Sequence, residues 1–361
     1  LLKMKIYDIA FLGMGASALA TAKLKYEGTN YSLIGIDKNF YNKRNNFFAF
    51  WLTDWMKNFD SLTQKKWFRW NFYLANNYIT HETKDLPYCT IRYQDWKDYC
   101  LEGLKNLSIK ELNVQSINNL EKYFEIQLDN GEKIFAKKVY DSRTPKLENE
   151  RVKQHFFGYL IDTKQLINSD NITLMDFRVD QKVGLHFMYC LPINENRALI
   201  ESTVFSSEIQ KDDWYQNQIM EYIETKLNIS EYKIVDEEKG ALPMYEIKNN
   251  SSENYINIGS RGGATKISTG YAFSFFLKNL LKSNKKKHHS LFDKWMDKVF
   301  VNYLQNNKGT EKVFINMANS LNGNEFASFM MGVSKLRTKL KVVMSMPKIK
   351  FINAALRTII N

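Results

Sequence analysis

Proline and glycine are scarce, with 5 and 16 among 361 residues, so long disordered linkers are not expected. Cysteine is rarer still: Cys89, Cys100 and Cys190 are odd in number and show no CxxC spacing. That argues against a disulfide framework or a structural zinc site and fits a reducing compartment. Five histidines (His81, His155, His186, His288, His289) show no HExxH or other metal-ligand spacing, and no metal is expected. There is no GxSxG, which removes the nucleophile-elbow hydrolases. Internal repeats and low-complexity tracts are missing too. The longest apolar stretch near the N-terminus, Ile9 to Ala22, is too short to span a bilayer and contains two glycines. It lacks a secretory cleavage pattern, so a cytoplasmic protein is expected, with attachment to a membrane surface left open.

Acidic residues are outnumbered, 39 against 51 basic ones, for a formal charge of +12. Such a charge attracts polyanions, either nucleic acid or an anionic membrane. Nucleic-acid modules carry zinc-ligand pairs or a Lys/Gly/aromatic strand pattern, and neither is present, so no nucleic-acid partner is expected. Hydrophobic residues make up 44% and charged residues 25%, ordinary for a globular chain. The length suits one large domain or two interlocked ones.

The clearest local pattern opens the chain. Ile6 to Leu12 is a buried strand, Gly13-Met14-Gly15 follows, Ala16 to Lys25 is rich in helix formers, and Tyr31 to Ile36 is a second strand ending in Asp37. This is strand, GxGxxA, helix, strand, acid. Gly13 permits the tight turn, Gly15 lets backbone approach a pyrophosphate, and Ala18 is small enough for helix–strand packing. The helix N-terminus offers free N–H groups to phosphate, and Asp37 is placed to accept from ribose hydroxyls. By itself the unit serves FAD or NAD.

Later segments extend this site. Lys138 to Arg143 is a short strand ending in Asp-x-Arg, which adds Arg143. Ile256 to Gly263 is strand-like and ends in Gly259-Ser260-Arg261-Gly262-Gly263; Ser268-Thr269-Gly270-Tyr271 then leads into an aromatic helix from Ala272 to Leu281. A second glycine-rich turn before a helix is what a flavin requires, although a plain structural turn would leave the same trace.

At this point the residues carry a resemblance. Gly13-x-Gly15-x-x-Ala18 with Asp37, Asn45 to Trp51, Val139 to Arg143, Gln154 to Gly158, Leu174 to Gln181, Phe187 to Pro192, Leu199 to Phe205 (LIESTVF), Gly240 to Met244, Ile258 to Phe273 and Met346-Pro347 with Phe351-Ile352 recur in order. Together they resemble the lycopene cyclase family of flavoproteins, bacterial type, over nearly the whole chain. Three pieces depart from the commoner pattern: Phe48 replaces a frequent tryptophan, Ser202 a frequent second acid, and Lys266-Ile267 a frequent His-Pro. These departures bear on substrate and product rather than on fold.

The resemblance implies an α/β fold with a Rossmann-like FAD domain of the GR2, p-hydroxybenzoate-hydroxylase-like type. An interleaved sheet-rich substrate domain and a helical C-terminal tail complete it. The nucleotide domain is expected at 1–50, 85–150 and 235–285, the substrate domain at 51–84 and 151–234, and helices at 286–361. It also implies a reaction without net redox change. A terminal double bond of a linear carotene is protonated, the cation is attacked by a neighbouring double bond, and proton loss leaves a six-membered ring. Reduced FAD is the implied cofactor, with NAD(P)H only as electron source.

Glu201 lies in a β-like segment, Ala198 to Phe205. From pattern alone an edge-strand, solvated glutamate is the commoner outcome; the resemblance makes it the proton donor, kept neutral by burial. Phe48, Phe50, Trp51, Trp55 and Tyr271 are candidates for lining the pocket, each aromatic face contributing roughly 0.5–2 kcal/mol toward a cation. An anionic flavin at ~4 Å would contribute about 4 kcal/mol at an effective dielectric of 20, so flavin electrostatics should dominate. A long hydrocarbon substrate implies docking on lipid. The cluster Lys282, Lys285, Lys286, Lys287, His288 and His289, and the mixed basic and apolar stretch Phe326 to Ile360, suit an interfacial segment, or a plain solvated face. Rival readings are a flavin monooxygenase or isoprenoid reductase on the same fold, a non-catalytic lipid-binding flavoprotein, and a cyclase for another terpenoid.

Overall fold

The computed structural model describes residues 5–282 and 288–360. A first sheet holds β1 (Ile6–Leu12), β2 (Leu33–Ile36), β8 (Leu107–Lys110), β9 (Val114–Asn119), β10 (Phe124–Leu128), β11 (Lys133–Asp141) and β17 (Tyr255–Asn257). Its order is β8-β2-β1-β11-β10-β9, with β17 also beside β11. β1 lies parallel to both β2 and β11. It is apolar throughout because both its faces are covered: Ile9 and Phe11 join one core cluster, Ala10 and Leu12 another. Helix α1 (Ala16–Tyr26) packs against it through fully buried Ala18, Leu19 and Ala22. Helices α2 (Tyr93–Leu101) and α4 (Phe273–Leu281) join it in the same cluster through Trp96, Phe273 and Leu277.

The second sheet runs β16-β12-β15-β14-β13-β5-β6. It comprises β5 (Arg69–Leu74), β6 (Asn77–Glu82), β12 (Lys153–Thr163), β13 (Asn171–Asp176), β14 (Leu185–Asn194), β15 (Arg197–Ser206) and β16 (Tyr232–Pro243). A small third sheet, β3 (Phe47–Trp51), β7 (Tyr88–Arg92) and β4 (Lys65–Trp67), bridges the two, with a 3-10 segment at Asp54–Leu62.

Alternation along β15 sorts its side chains by face. Ala198, Ile200 and Val204 pack under α3 (Asp212–Thr225), whereas Leu199 and Phe205 face the core beneath the C-terminal helices. Those helices are α5 (Leu291–Asn306), α6 (Glu311–Ser320), α7 (Gly323–Met330), α8 (Leu336–Ser345) and α9 (Lys348–Ile360).

Three expectations change. β16 pairs with β12 from Tyr232 to Pro243, so the first part of the 235–285 segment belongs to the second sheet rather than the nucleotide domain. The stretch from Phe326 onward, expected as an interfacial segment of the helical tail, is divided into three helices, parted around Gly332 and Pro347. Of the basic cluster, residues 285–287 lie outside the described residues, and His289 is buried against Phe275 at 4.4 Å rather than facing solvent.

Candidate functional site

A cavity of about 500 Å³ lies between the glycine turn after β1, the inner face of the second sheet and helices α6 and α7. Its walls are built from both halves of the chain, Gly15 to Ser17 on one side and Glu201, Thr203 and Glu238 on the other.

The nucleotide side is assembled by two glycine turns. Gly13 sits at φ +76°, in the left-handed region. Its carbonyl accepts from Ser142 Oγ at 2.7 Å, which ties the turn to the end of β11. Gly15 borders the cavity, and a methyl group there would meet no protein atom within 4 Å. Helix α1 begins with no side-chain cap and no acid in its first turn, so its N–H groups are available to an anion. Gly259, at φ +61°, approaches so closely that a methyl group would collide with Ser17 Oγ. This contact joins the second glycine turn to the first. Thr269 and Gly270 continue the wall.

The remaining nucleotide-side candidates are placed differently. Asp37 spends its carboxylate on backbone, accepting from Met14 N at 2.8 Å and Asn39 N at 2.9 Å. Arg143 forms a bidentate pair with Asp141, whose carboxyl is fully buried. Burial pushes Asp141 up, but bonds from Arg143 and Tyr255 outweigh it and hold the carboxylate below its usual range. Arg261 Nε donates to the Arg143 carbonyl at 2.8 Å, bracing the loop. Gly262 and Gly263 line a separate polar pocket with His288 and His289.

On the opposite wall, Glu201 projects from β15 on the face opposite Ile200. It is only half-buried by surface, yet the surface it shows is cavity wall. Burial raises its pKa, against the hydrogen bond it accepts from the Thr203 hydroxyl.

A second acid, Glu238, lines the same cavity, and the sequence analysis did not single it out. It lies on β16, and both glutamates pair in register with the same residue of the strand between them, Gly158 of β12. Burial raises the Glu238 pKa as well, with the neighbouring Glu201 adding to it. Three phenols complete this end: Tyr88 Oη lies 2.8 Å from Tyr189 Oη and 3.1 Å from Tyr271 Oη. Burial raises all three, keeping them neutral hydrogen-bonding groups.

Of the aromatic candidates, Phe48, Phe50 and Tyr271 line the cavity, and Phe48 stacks on Phe273 at 4.5 Å. Trp51 stands behind that wall, fully buried against Tyr88 and Tyr271. Trp55 packs elsewhere, its Nε1 donating to the Ser274 carbonyl at 3.3 Å. The three sequence departures also find places. Ser202 points away from the cavity to His186, 2.9 Å from its Nε2, so an acid at 202 would not reach the site. Lys266 is buried in an ion pair with Asp297 at 2.5 Å, which anchors the second glycine turn to α5. Phe48 alone of the three touches the cavity.

The residues suit a dinucleotide with a hydrogen-bonding ring. Besides the open face at Gly15, Gln154 Oε1 and Thr269 Oγ1 are buried in the cavity wall with no partner in the protein. Among the described residues, no cluster of His, Cys, Asp and Glu could hold a metal ion.

The sequence profile described as lycopene cyclase protein matches residues 8–356. No curated protein matches the chain in sequence. Among solved structures, a geranylgeranyl bacteriochlorophyll reductase-like protein from Thermoplasma acidophilum superposes with a TM-score of 0.63 at 10% identity, covering 99% of this chain and 100% of that one. A flavoprotein/dehydrogenase from Cytophaga hutchinsonii gives 0.59 at 11%, covering 98% and 99%. A flavin-dependent brominase gives 0.54 at 13%, covering 98% and 94%. At these identities the likeness is one of fold.

Proposed function

The chain belongs to the lycopene cyclase family, and from that premise we propose that it is an FAD-containing cyclase. It closes the linear ends of lycopene, or a closely similar terpenoid, into β-ionone rings without net redox change. The observation that carries this reading is Glu201, a carboxyl with raised pKa on the wall of a largely apolar cavity that also borders the two glycine turns.

Gly13 to Ser17, Gly259 and Thr269-Gly270 would hold FAD, with Gln154 and the Asp141–Arg143 pair beside them. In its reduced, anionic form FAD supplies negative charge toward a carbocation, with NAD(P)H needed only to reduce it. Glu201 holds the proton to be delivered. Its O–H breaks as a C–H bond forms at the terminal double bond of the substrate. The cation is attacked by the next double bond, and loss of a ring C–H proton to the carboxylate restores Glu201. Phe48, Phe50 and Tyr271 border this space; they would exclude water, and a ring face presented to a cation would stabilise it by about 0.5–2 kcal/mol.

The substrate is membrane-stored, and the C-terminal helices offer a means of reaching it. Among the described residues no helix is long and apolar enough to cross a membrane. Leu336, Leu340 and Met344 on α8 and Ile349, Ile352, Leu356 and Ile359 on α9 are nevertheless exposed. Lys335, Arg337, Lys348, Lys350 and Arg357 flank them, the composition of a surface that lies on anionic lipid.

The test is to express the chain in cells accumulating lycopene and analyse the pigment. β- or γ-carotene is expected, and Glu201→Gln should yield none while FAD stays bound. Saturated or hydroxylated pigment would instead indicate a reductase or monooxygenase, and ring formation by Glu201→Gln would remove this residue from the mechanism.

A further inference from the structure

β16 is the edge of the second sheet, and its side chains alternate: Glu237 and Lys239 face solvent, whereas Glu238 faces the cavity. Between β16 and β15 runs β12, whose residue opposite both glutamates is Gly158. A methyl group on Gly158 would lie 3.4 Å from Glu201 Cβ and 3.4 Å from Glu238 Cγ. Two acids one strand apart would ordinarily be screened from each other by the side chain between them. Here that side chain is absent, and both reach the same space.

We propose that Glu238 is the partner carboxyl of Glu201: the two face one space across Gly158, and the repulsion between their charges holds one proton on the pair. This rests on the cyclase reading above. Two like charges so placed in an apolar wall oppose each other's ionisation, so the pair titrates as a unit. Among the described residues neither carboxyl forms an ion pair, and no cation offsets the repulsion. The titratable groups facing the pair are Asp236 on β16, Tyr189 on β14, Tyr88 on β7 and Tyr271 after the second glycine turn, all anionic or neutral. The hydrogen bonds steadying the ionised forms are those from Thr203 to Glu201 and from the Phe47 N–H to Glu238. Each turnover balances in protons: Glu201 gives one to the substrate carbon, the ring C–H proton returns to the pair, and the pair exchanges with water before the next turnover. No oxidant or reductant is consumed. Glu238 is thus a positioning residue acting through Glu201.

The test compares flavin-loaded wild type, Glu238→Gln, Glu238→Asp and Glu201→Gln, assaying ring formation in lipid across pH and following protonated-carboxyl absorption by infrared difference spectroscopy. In Glu238→Gln the high-pH loss of activity should move down by about one pH unit or more, with the rate recovered at acidic pH. The infrared band of the protonated acid should titrate at correspondingly lower pH. Glu238→Asp should restore part of the wild-type profile. A Glu238→Gln profile and band indistinguishable from wild type, or activity lost at every pH with FAD bound, would overturn the pairing. Failure of the cyclase reading is distinguishable, because wild type itself would then form no ring.

Discussion

At Gly15 the fold and the cofactor make different demands on one residue. Its φ is −73° and ψ −179°, extended backbone open to any amino acid, and no protein atom lies near its missing side chain. The requirement for glycine therefore comes from whatever approaches the start of α1. Gly15→Val should leave thermal stability within about 0.5 kcal/mol of wild type, as for a surface change, while the purified protein loses its flavin absorbance. Retained flavin would show that the pyrophosphate does not pass this point. The sequence displayed this residue clearly because GxGxxA encodes a local turn. Glu201 was visible through its β-like segment and the family likeness together. Glu238 was not: in Asp236-Glu237-Glu238-Lys239 it reads as one of a run of solvated charges. Only the period of two, ending in Gly240 and the apolar Ala241-Leu242, hinted that every second residue turns inward. Asp37 shows the opposite limit, since the motif predicts its position but not that backbone N–H groups occupy its carboxylate.

Among the elements, the opening strand, helix and strand were legible because hydrophobic period and glycine punctuation act within about thirty residues. The allegiance of β16 was not, because it depends on pairing with β12, some eighty residues away in the chain. The C-terminal helices were foreseen as a basic, apolar tail, but not their division. α9 presents Ile349, Ile352, Leu356 and Ile359 along one stripe, at helical spacing and more than half exposed. The opposite side of α9 is held to the body by Phe351 stacked on Tyr303 at 4.3 Å and by buried Ala354. Replacing Ile352 and Leu356 by Ser should therefore spare the fold yet weaken sedimentation with vesicles of anionic lipid, by at least tenfold if each side chain contributes about 1.5 kcal/mol of burial. Binding unchanged by the double substitution would move the membrane contact elsewhere.

For the molecule as a whole, pH acts on stability first through buried histidines outside the cavity lining. His155 and His186 are fully buried and His289 nearly so, and burial is the main cause that lowers each to about 4 from 6.5. Their partners are neutral: Tyr215 and Ser206 for His155, Ser202 and the Asp180 carbonyl for His186, and the Ala264 carbonyl for His289. A depressed folded pKa means the unfolded chain binds more protons between these values, so stability is present above pH 6.5 and is lost as pH falls toward 4. The melting temperature should drop through that window, and less steeply in His186→Gln if that variant folds. A flat profile would place compensating acids beside these rings. The same linkage runs the other way for Glu201 and Glu238, whose raised values favour the folded state less as pH climbs.

The central claim is that a proton from a carboxyl, not a hydride or an oxygen atom, drives the reaction. Its most direct test is to run the flavin-loaded enzyme with lycopene in deuterium oxide and weigh the product. Protonation by Glu201 predicts one deuterium retained per ring closed, with NAD(P)H needed only in amounts far below product. A product carrying hydrogen from the reductant, or gaining oxygen, with reductant consumed in step with turnover, would contradict it.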